Sequence, residues 1–165
     1  MRSFGILLAV VTTSLLPSAC LPEAVPCPAI AQAPVVSLTV AASYAPAVKA
    51  IHLKACQDGT CQEADLELRP GSTAVDMGCE PSAGPDGTCS ATSSPDGTLT
   101  GMLMMDVLTE SRIDATATGT STARAPLPVR KLSFTPKADY PYGEQCGKFI
   151  TASLVLDADS LRQAG

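Results

Sequence analysis

One stretch of the sequence predicts a β-hairpin residue by residue. Residues 48–70 read VKAIHLKACQDGTCQEADLELRP, in which Asp58-Gly59 has the composition of a two-residue hairpin turn. Folding the chain about this turn places apolar residues opposite apolar ones and opposite charges opposite each other. The turn and the alternation of apolar and polar residues independently predict the same register. The predicted pairs are Cys56 with Cys61, Lys54 with Glu63, Leu53 with Ala64, His52 with Asp65, and Ile51 with Leu66.

Similar alternation predicts further strands on both sides of the hairpin. It occurs in residues 36–40, 99–107, 112–118, 129–134 and 149–159, whereas no segment has a helical period. Residues 80–97 contain the turn sequence Pro-Asp-Gly-Thr twice and few apolar residues, which predicts a long loop. About seven short strands separated by turns indicate an all-β fold, a single antiparallel β-sandwich of the immunoglobulin-like type.

The cysteines predict a fold that is stapled by disulfides. Aromatic residues make up only 4% of the chain and Trp is absent, so the core has few large side chains and gains from covalent cross-links. The hairpin register predicts a Cys56–Cys61 bridge, because directly opposed residues are close enough to be joined. Cys79 and Cys89 bracket the first half of the predicted loop and are expected to close it. Of the fifteen pairings that six cysteines allow, Cys27–Cys146 then remains.

The N-terminal residues have the composition of an export signal. Residues 4–16 form an apolar run that is shorter than the ~20 residues that a membrane-spanning helix needs, but long enough for the core of a signal peptide. The run ends in Leu16-Pro17-Ser18-Ala19-Cys20, which resembles the lipobox of bacterial lipoproteins. The resemblance implies a diacylated Cys20, and an acylated Cys20 leaves an even set of six cysteines. The alternative is cleavage near Ala19 without lipidation.

These features predict three segments. Residues 1–19 are the signal peptide, residues 20–34 are the lipid anchor and a proline-rich tether, and residues 35–160 are the sandwich domain. We therefore expect the protein at the cell membrane, anchored by lipid on the extracytoplasmic face. Two acyl chains on one cysteine are sufficient for stable anchoring.

Composition and motifs argue against several classes of function. The net charge of −5 disfavours nucleic acid as a partner. His52 is the only histidine, and no Gly-x-Ser-x-Gly nucleophile motif, phosphate-binding loop or dinucleotide fingerprint occurs, so we expect no catalytic residue and no cofactor. Cysteines of an exported protein pair with one another more often than they bind zinc, and the methionines between 102 and 105 are expected to fill the core, so we expect no metal site.

Taken whole, the chain resembles uncharacterised actinobacterial secreted lipoproteins. The resembling residues are Pro17-Ser18-Ala19-Cys20, the segment from Ala55 to Cys61, and Tyr140-Pro141-Tyr142-Gly143-Glu144-Gln145-Cys146-Gly147. The resemblance implies a location and an architecture, and it implies no activity.

Two functions from different classes are compatible with these features. The first is a surface-anchored, non-enzymatic binding or structural module that contacts an unknown protein or cell-wall partner through loops 80–97 or 136–147. The second is a small disulfide-bonded protease inhibitor, whose reactive loop lies between Cys79 and Cys89 and is made rigid by their bridge.

Overall fold

The computed structural model describes residues 26–79 and 88–164, which form two β-sheets packed face to face. Two short 3₁₀ turns, Ala45–Ala47 and Glu144–Cys146, interrupt the strands. Within these ranges no helix is long and apolar enough to cross a membrane. The strands are β1 (Val35–Val40), β2 (Val48–Gln57), β3 (Thr60–Asp65), β4 (Arg69–Cys79), β5 (Cys89–Met104), β6 (Ile113–Ser121), β7 (Arg130–Phe134), β8 (Lys137–Asp139), β9 (Phe149–Leu156) and β10 (Leu161–Gln163).

The strands divide into a large sheet and a small sheet. The large sheet has the order β10-β9-β1-β5-β4, with β8 paired to β9, and the small sheet has the order β3-β2-β6-β7. The predicted disulfide-stapled β-sandwich is confirmed. Two features differ from the expectation: the described residues form ten strands instead of about seven, and β1 runs parallel to β9 while it runs antiparallel to β5.

The hairpin of β2 and β3 has the predicted register. Cys56 lies opposite Cys61, Lys54 opposite Glu63 and His52 opposite Asp65. Asp58 and Gly59 both have positive φ angles, 51° and 81°, as a two-residue hairpin turn requires. Beyond the paired residues, the backbone N–H of Leu66 donates to the carbonyl of Ile51 at 2.8 Å, which continues the predicted pairing.

The core is built from the inward-facing residues of both sheets. Alternate residues of β1, β2, β6 and β9 are buried, as the sequence pattern predicts. Phe134 is the one aromatic residue among the buried core residues of the described chain, so packing depends on aliphatic side chains. The largest fully buried side chains are those of Leu38, Ile51, Leu53, Ile113, Leu154, Val36 and Val40.

The prediction of a loop over residues 80–97 is wrong for its second half. Residues 89–97 belong to β5, and the second Pro-Asp-Gly-Thr forms a bulge within the strand, where the register with β4 shifts between Pro70 and Ser72. The Asp96 carboxylate accepts hydrogen bonds from the Thr98 N–H at 2.9 Å and the Thr98 hydroxyl at 2.7 Å, and Gly97 has φ of 79°. The turn chemistry therefore bends a strand instead of ending it.

The strands of the described chain run from Val35 to Gln163. β10 (Leu161–Gln163) therefore lies beyond residue 160, which was given as the end of the domain. Asp157 accepts hydrogen bonds from the N–H groups of Asp159 and Ser160, which closes a turn where the last strand was expected to continue. Within the predicted tether, Cys27 and Gln32 contact the domain. Residues 1–25, including Cys20, lie outside the described part of the chain.

Candidate functional site

The two ends of the sandwich differ in what they carry. We call the end at which β1 and the parallel β9 begin the tether end; it comprises residues 27–34 and 140–149. Cys27 is bonded to Cys146, with a Cα–Cα distance of 5.3 Å. The backbone N–H of Ile150 donates to the Gln32 side chain at 2.8 Å, and the Gln32 amide donates to the Ile150 carbonyl. The chain therefore enters the domain along the start of β9.

A two-stranded arm projects from the opposite end. β5 pairs with β1 only from Leu99 to Met104, and Leu99 lies opposite Val40, the last residue of β1. The preceding residues of β5 pair only with β4 in the described chain. We call residues 72–79 and 89–98 the arm. Ten residues at ~3.3 Å each extend it by roughly 30 Å beyond the end of β1.

The arm is exposed along its whole length. Apart from the half-buried Ser94 and Thr98, every residue of it is exposed, including Val75 and Met77, which are 40% and 64% exposed. Most of its side chains are small and polar, so the arm gains little stability from apolar burial. Its stability instead depends on the backbone pairing between β4 and β5 and on the covalent link at its tip.

The edges of the arm are interrupted. A second register shift lies between Asp76 and Gly78, where the Gly78 N–H donates to the Asp76 carboxylate at 2.8 Å. Pro95 lacks an N–H and lies within β5. Bulges, a proline and a charged residue are the devices by which natural sheets limit edge-to-edge aggregation. A partner is therefore expected to contact the side chains or the tip of the arm, because its edges are not continuous enough to pair with another strand.

The tip of the arm is closed by the Cys79–Cys89 bridge. The two Cα atoms are 3.9 Å apart, directly opposite each other in the register of β4 and β5. The predicted inhibitor loop therefore begins and ends at an exposed tip. Its residues 80–87 lie outside the described chain.

The tether end carries an exposed aromatic cluster. Tyr140 and Tyr142 are 44% and 41% exposed, and Ile30, in the chain that enters at the same end, is 54% exposed. The Tyr142 ring packs edge-on against the ring of Phe149, with centroids 5.8 Å apart. This contact holds one tyrosine in place while it leaves part of the ring accessible to a partner.

The one lysine of the tether end is paired with an acidic side chain. Lys148 forms an ion pair with Glu110, and the hydrogen bond and charge of Glu110 raise the pKa of Lys148 above its ordinary value of 10.5. Lys137, on the adjacent strand β8, donates to the Ala164 carbonyl at 3.3 Å, and Glu144 adds a negative charge to the tether end. This end therefore has no excess of positive charge for the binding of phosphates or nucleic acid.

His52, the only residue considered as a catalytic base, lies on the outer face of the small sheet. Its Nδ1 atom is 2.9 Å from Oδ1 of Asp65; the His52 side chain is 41% exposed and that of Asp65 is 90% exposed. In the described chain neither residue hydrogen-bonds to a serine, threonine or cysteine. The pair is a cross-strand contact. The same hairpin contains a second one, in which Lys54 Nζ is 3.2 Å from Oε2 of Glu63.

The surface of the described residues has several depressions. A depression of about 160 Å³ lies beside the hairpin turn and is lined by Asp58 and Asp106, and it is smaller than typical ligand pockets. A groove of about 340 Å³ lies on the open outer face of the large sheet beside Thr100 and Met102. Across residues 26–79 and 88–164, no cluster of histidine, cysteine or acidic side chains could hold a metal ion.

The expectation that the methionines fill the core is correct for one of them only. Met105 is buried, but Met102 and Met104 are 68% and 59% exposed on the outer face of the large sheet. Val107 was expected to face inward and is 65% exposed. The physical reason is that β5 ends at Met104, so the alternation of the strand does not extend to Val107.

The structure brings the predicted cysteines together in three pairs. The bridges are Cys27–Cys146, Cys56–Cys61 and Cys79–Cys89, and they lie at the tether end, on the hairpin and at the arm tip. The aromatic cluster was missed, although a signal exists in the sequence. The chain has three Phe, three Tyr and no Trp, and three of these six lie between residues 140 and 149.

Comparisons with known proteins found no matching family model, no similar curated protein and no similar solved structure.

Proposed function

We propose that this protein is an exported lipoprotein, anchored through Cys20 to the extracytoplasmic face of the cell membrane, and that it acts there as a non-enzymatic binding module. The partner is a protein or a cell-wall component. The opposite placement of the chain entry and the arm is the observation that carries this proposal. A module tethered at one end and extended at the other is suited to contact partners away from the membrane.

Three further observations support the proposal. The domain is cross-linked by three disulfides, which persist in extracytoplasmic compartments. Six of the seven cysteines are paired, so Cys20 is the one cysteine left for acylation. In the described chain His52 contacts Asp65 across the hairpin and makes no hydrogen bond to a serine, threonine or cysteine that could act as a nucleophile.

Metabolic labelling tests the anchor. The wild-type protein, Cys20→Ser and Cys27→Ser are expressed in an actinobacterial host that is fed a palmitate analogue, and membrane and medium are then separated. We expect label on the wild type and on Cys27→Ser in the membrane, and none on Cys20→Ser. Cys27→Ser is the matched control, because it also removes a cysteine near the N-terminus but not the one proposed to carry lipid. Wild-type protein that is unlabelled and soluble would contradict the proposal.

The exposed tip of the arm favours one alternative function, protease inhibition. Cys79 and Cys89 hold the ends of the intervening loop together at an exposed position, with Cα atoms 3.9 Å apart, and such a cross-link reduces the entropy that a loop loses on binding. Titration of a panel of serine proteases with the purified protein distinguishes the two functions. Nanomolar inhibition that is lost in Cys79→Ser/Cys89→Ser would favour the inhibitor, and no inhibition would favour the binding module.

A further inference from the structure

The described chain begins at the end of the sandwich that carries the aromatic cluster. The Cys27–Cys146 bridge joins the entering chain to the segment that contains Tyr140 and Tyr142, and hydrogen bonds between Gln32 and Ile150 hold it there a second time. Ile30 lies between these two attachments and is exposed. The entering chain and the aromatic cluster therefore lie at the same end of the sandwich.

The covalent distance from Cys20 to this end is short. Six residues separate Cys20 from Cys27. Because an extended chain spans at most ~3.6 Å per residue, Cys20 lies within roughly 25 Å of Cys27. If Cys20 carries a lipid, the tether end is the part of the domain that is kept closest to the bilayer, and the arm is on the opposite side.

The exposed side chains at this end have the chemistry of a membrane interface. Tyrosine has an apolar ring and a polar hydroxyl, and it is enriched where hydrocarbon meets water. Ile30 adds an aliphatic side chain to Tyr140 and Tyr142. Lys148 is paired with Glu110, so contact with the membrane would depend on these apolar and aromatic side chains more than on attraction to anionic lipids.

We propose that the tether end rests on the lipid surface of the membrane, with Tyr140, Tyr142 and Ile30 at the level of the headgroups, so that the arm points away from the bilayer. This inference rests on the proposed anchoring through Cys20. Beyond anchoring, it specifies how the whole domain is oriented relative to the membrane. The anchor alone would not fix the orientation of the domain relative to the membrane.

The absence of tryptophan from the chain makes the test specific. In Tyr142→Trp the introduced indole is the only one in the protein, and Met77→Trp places one on the arm as a matched control. Each lipidated protein is purified from membranes and reconstituted into phosphatidylcholine vesicles, with or without bromine atoms near the headgroup end of the acyl chains. Flotation of the vesicles reports anchoring, and quenching by bromine reports contact with lipid. Tyr140→Trp is the second probe if Tyr142→Trp is unstable.

We expect both proteins to float with the vesicles, and the Y142W indole to lose roughly half of its emission or more to brominated lipid, because amphipathic rings settle at the interface. The M77W emission is expected to stay unchanged. Flotation without quenching of Y142W or Y140W, or quenching of M77W instead, would overturn the orientation while the anchor stands. Failure of the proteins to float would overturn the anchor and, with it, the orientation.

Discussion

Removal of the Cys27–Cys146 bridge should destabilise the protein more than removal of any other disulfide. The bridged cysteines are 119 positions apart, whereas Cys56 and Cys61 are 5 positions apart. In the chain-entropy account, a cross-link limits the unfolded chain, and its effect grows with the logarithm of the loop that it closes. For the long loop this gives about 16 cal/mol/K, or about 5 kcal/mol at 25 °C, and for the short loop about 2 kcal/mol.

The native fold should survive the loss of this bridge. β1 remains paired with β5 and β9 through its backbone, and Gln32 still bonds to Ile150. The effect is therefore expected mainly in the unfolded chain, which becomes more expanded and exposes more surface.

Urea unfolding of C27S/C146S and C56S/C61S measures this difference directly. We expect a lower free energy of unfolding in both, a greater loss in C27S/C146S by about 3 kcal/mol, and a steeper dependence on urea in that variant. An equal or smaller loss in C27S/C146S than in C56S/C61S would refute the reasoning.

Three other changes test the core, a buried polar contact and a charged turn. Leu38→Ala removes a fully buried side chain and should lower the free energy of unfolding by about 2–5 kcal/mol, measured by urea unfolding, whereas a loss below about 1 kcal/mol would contradict the assigned core. Gln57→Leu should lower the free energy of unfolding by about 1–3 kcal/mol, because the buried Gln57 amide forms hydrogen bonds with the backbone of Thr109 and Ser111. The control Gln62→Leu removes an exposed hydrogen bond and should lower it less. Hydrogen bonds from the N–H groups of Asp159 and Ser160 lower the pKa of Asp157 below its ordinary value of 3.8. Ionised Asp157 therefore stabilises the fold above pH 3.8, and this contribution is lost as the pH falls through the lowered pKa. The difference in thermal stability between the wild type and Asp157→Ala should accordingly shrink below pH 3.8, and a constant difference down to about pH 2 would be inconsistent with this assignment.

The hairpin could be predicted in detail because two independent signals coincide there. Asp58-Gly59 specifies the turn, and alternation in β2 specifies which face is buried. A shift of one residue would have turned Leu53 towards solvent, so only one register satisfies both signals. The same reasoning led from the register to the position of Cys56 opposite Cys61.

The arm could not be predicted from alternation, because neither of its faces is buried. Period-2 patterns arise where one face of a strand packs on a core, and residues 72–79 are exposed throughout. The Pro-Asp-Gly-Thr sequence was therefore the strongest local signal, and it indicated a loop. These residues form strands because β4 pairs with β5 and the Cys79–Cys89 bridge links the two strands at the tip. Such pairing cannot be recognised from the amino-acid composition of the segment.

The tether end illustrates a different limit. The sequence indicates Cys27 and Cys146 as partners by elimination, but it does not indicate that their bridge brings Ile30 and two tyrosines to one end of the sandwich. That arrangement depends on the parallel pairing of β1 with β9, a contact between segments that are 116 residues apart at Val36 and Ala152. Local patterns do not contain this information.

Intact mass and peptide mapping without reduction, on protein recovered from the membranes of an actinobacterial host, test membrane anchoring most directly. We expect an N-terminal peptide that starts at Cys20 and carries two acyl chains, together with the bridges Cys27–Cys146, Cys56–Cys61 and Cys79–Cys89. An unmodified Cys20 in a product found only in the medium would contradict membrane anchoring and leave an odd thiol in the secreted protein.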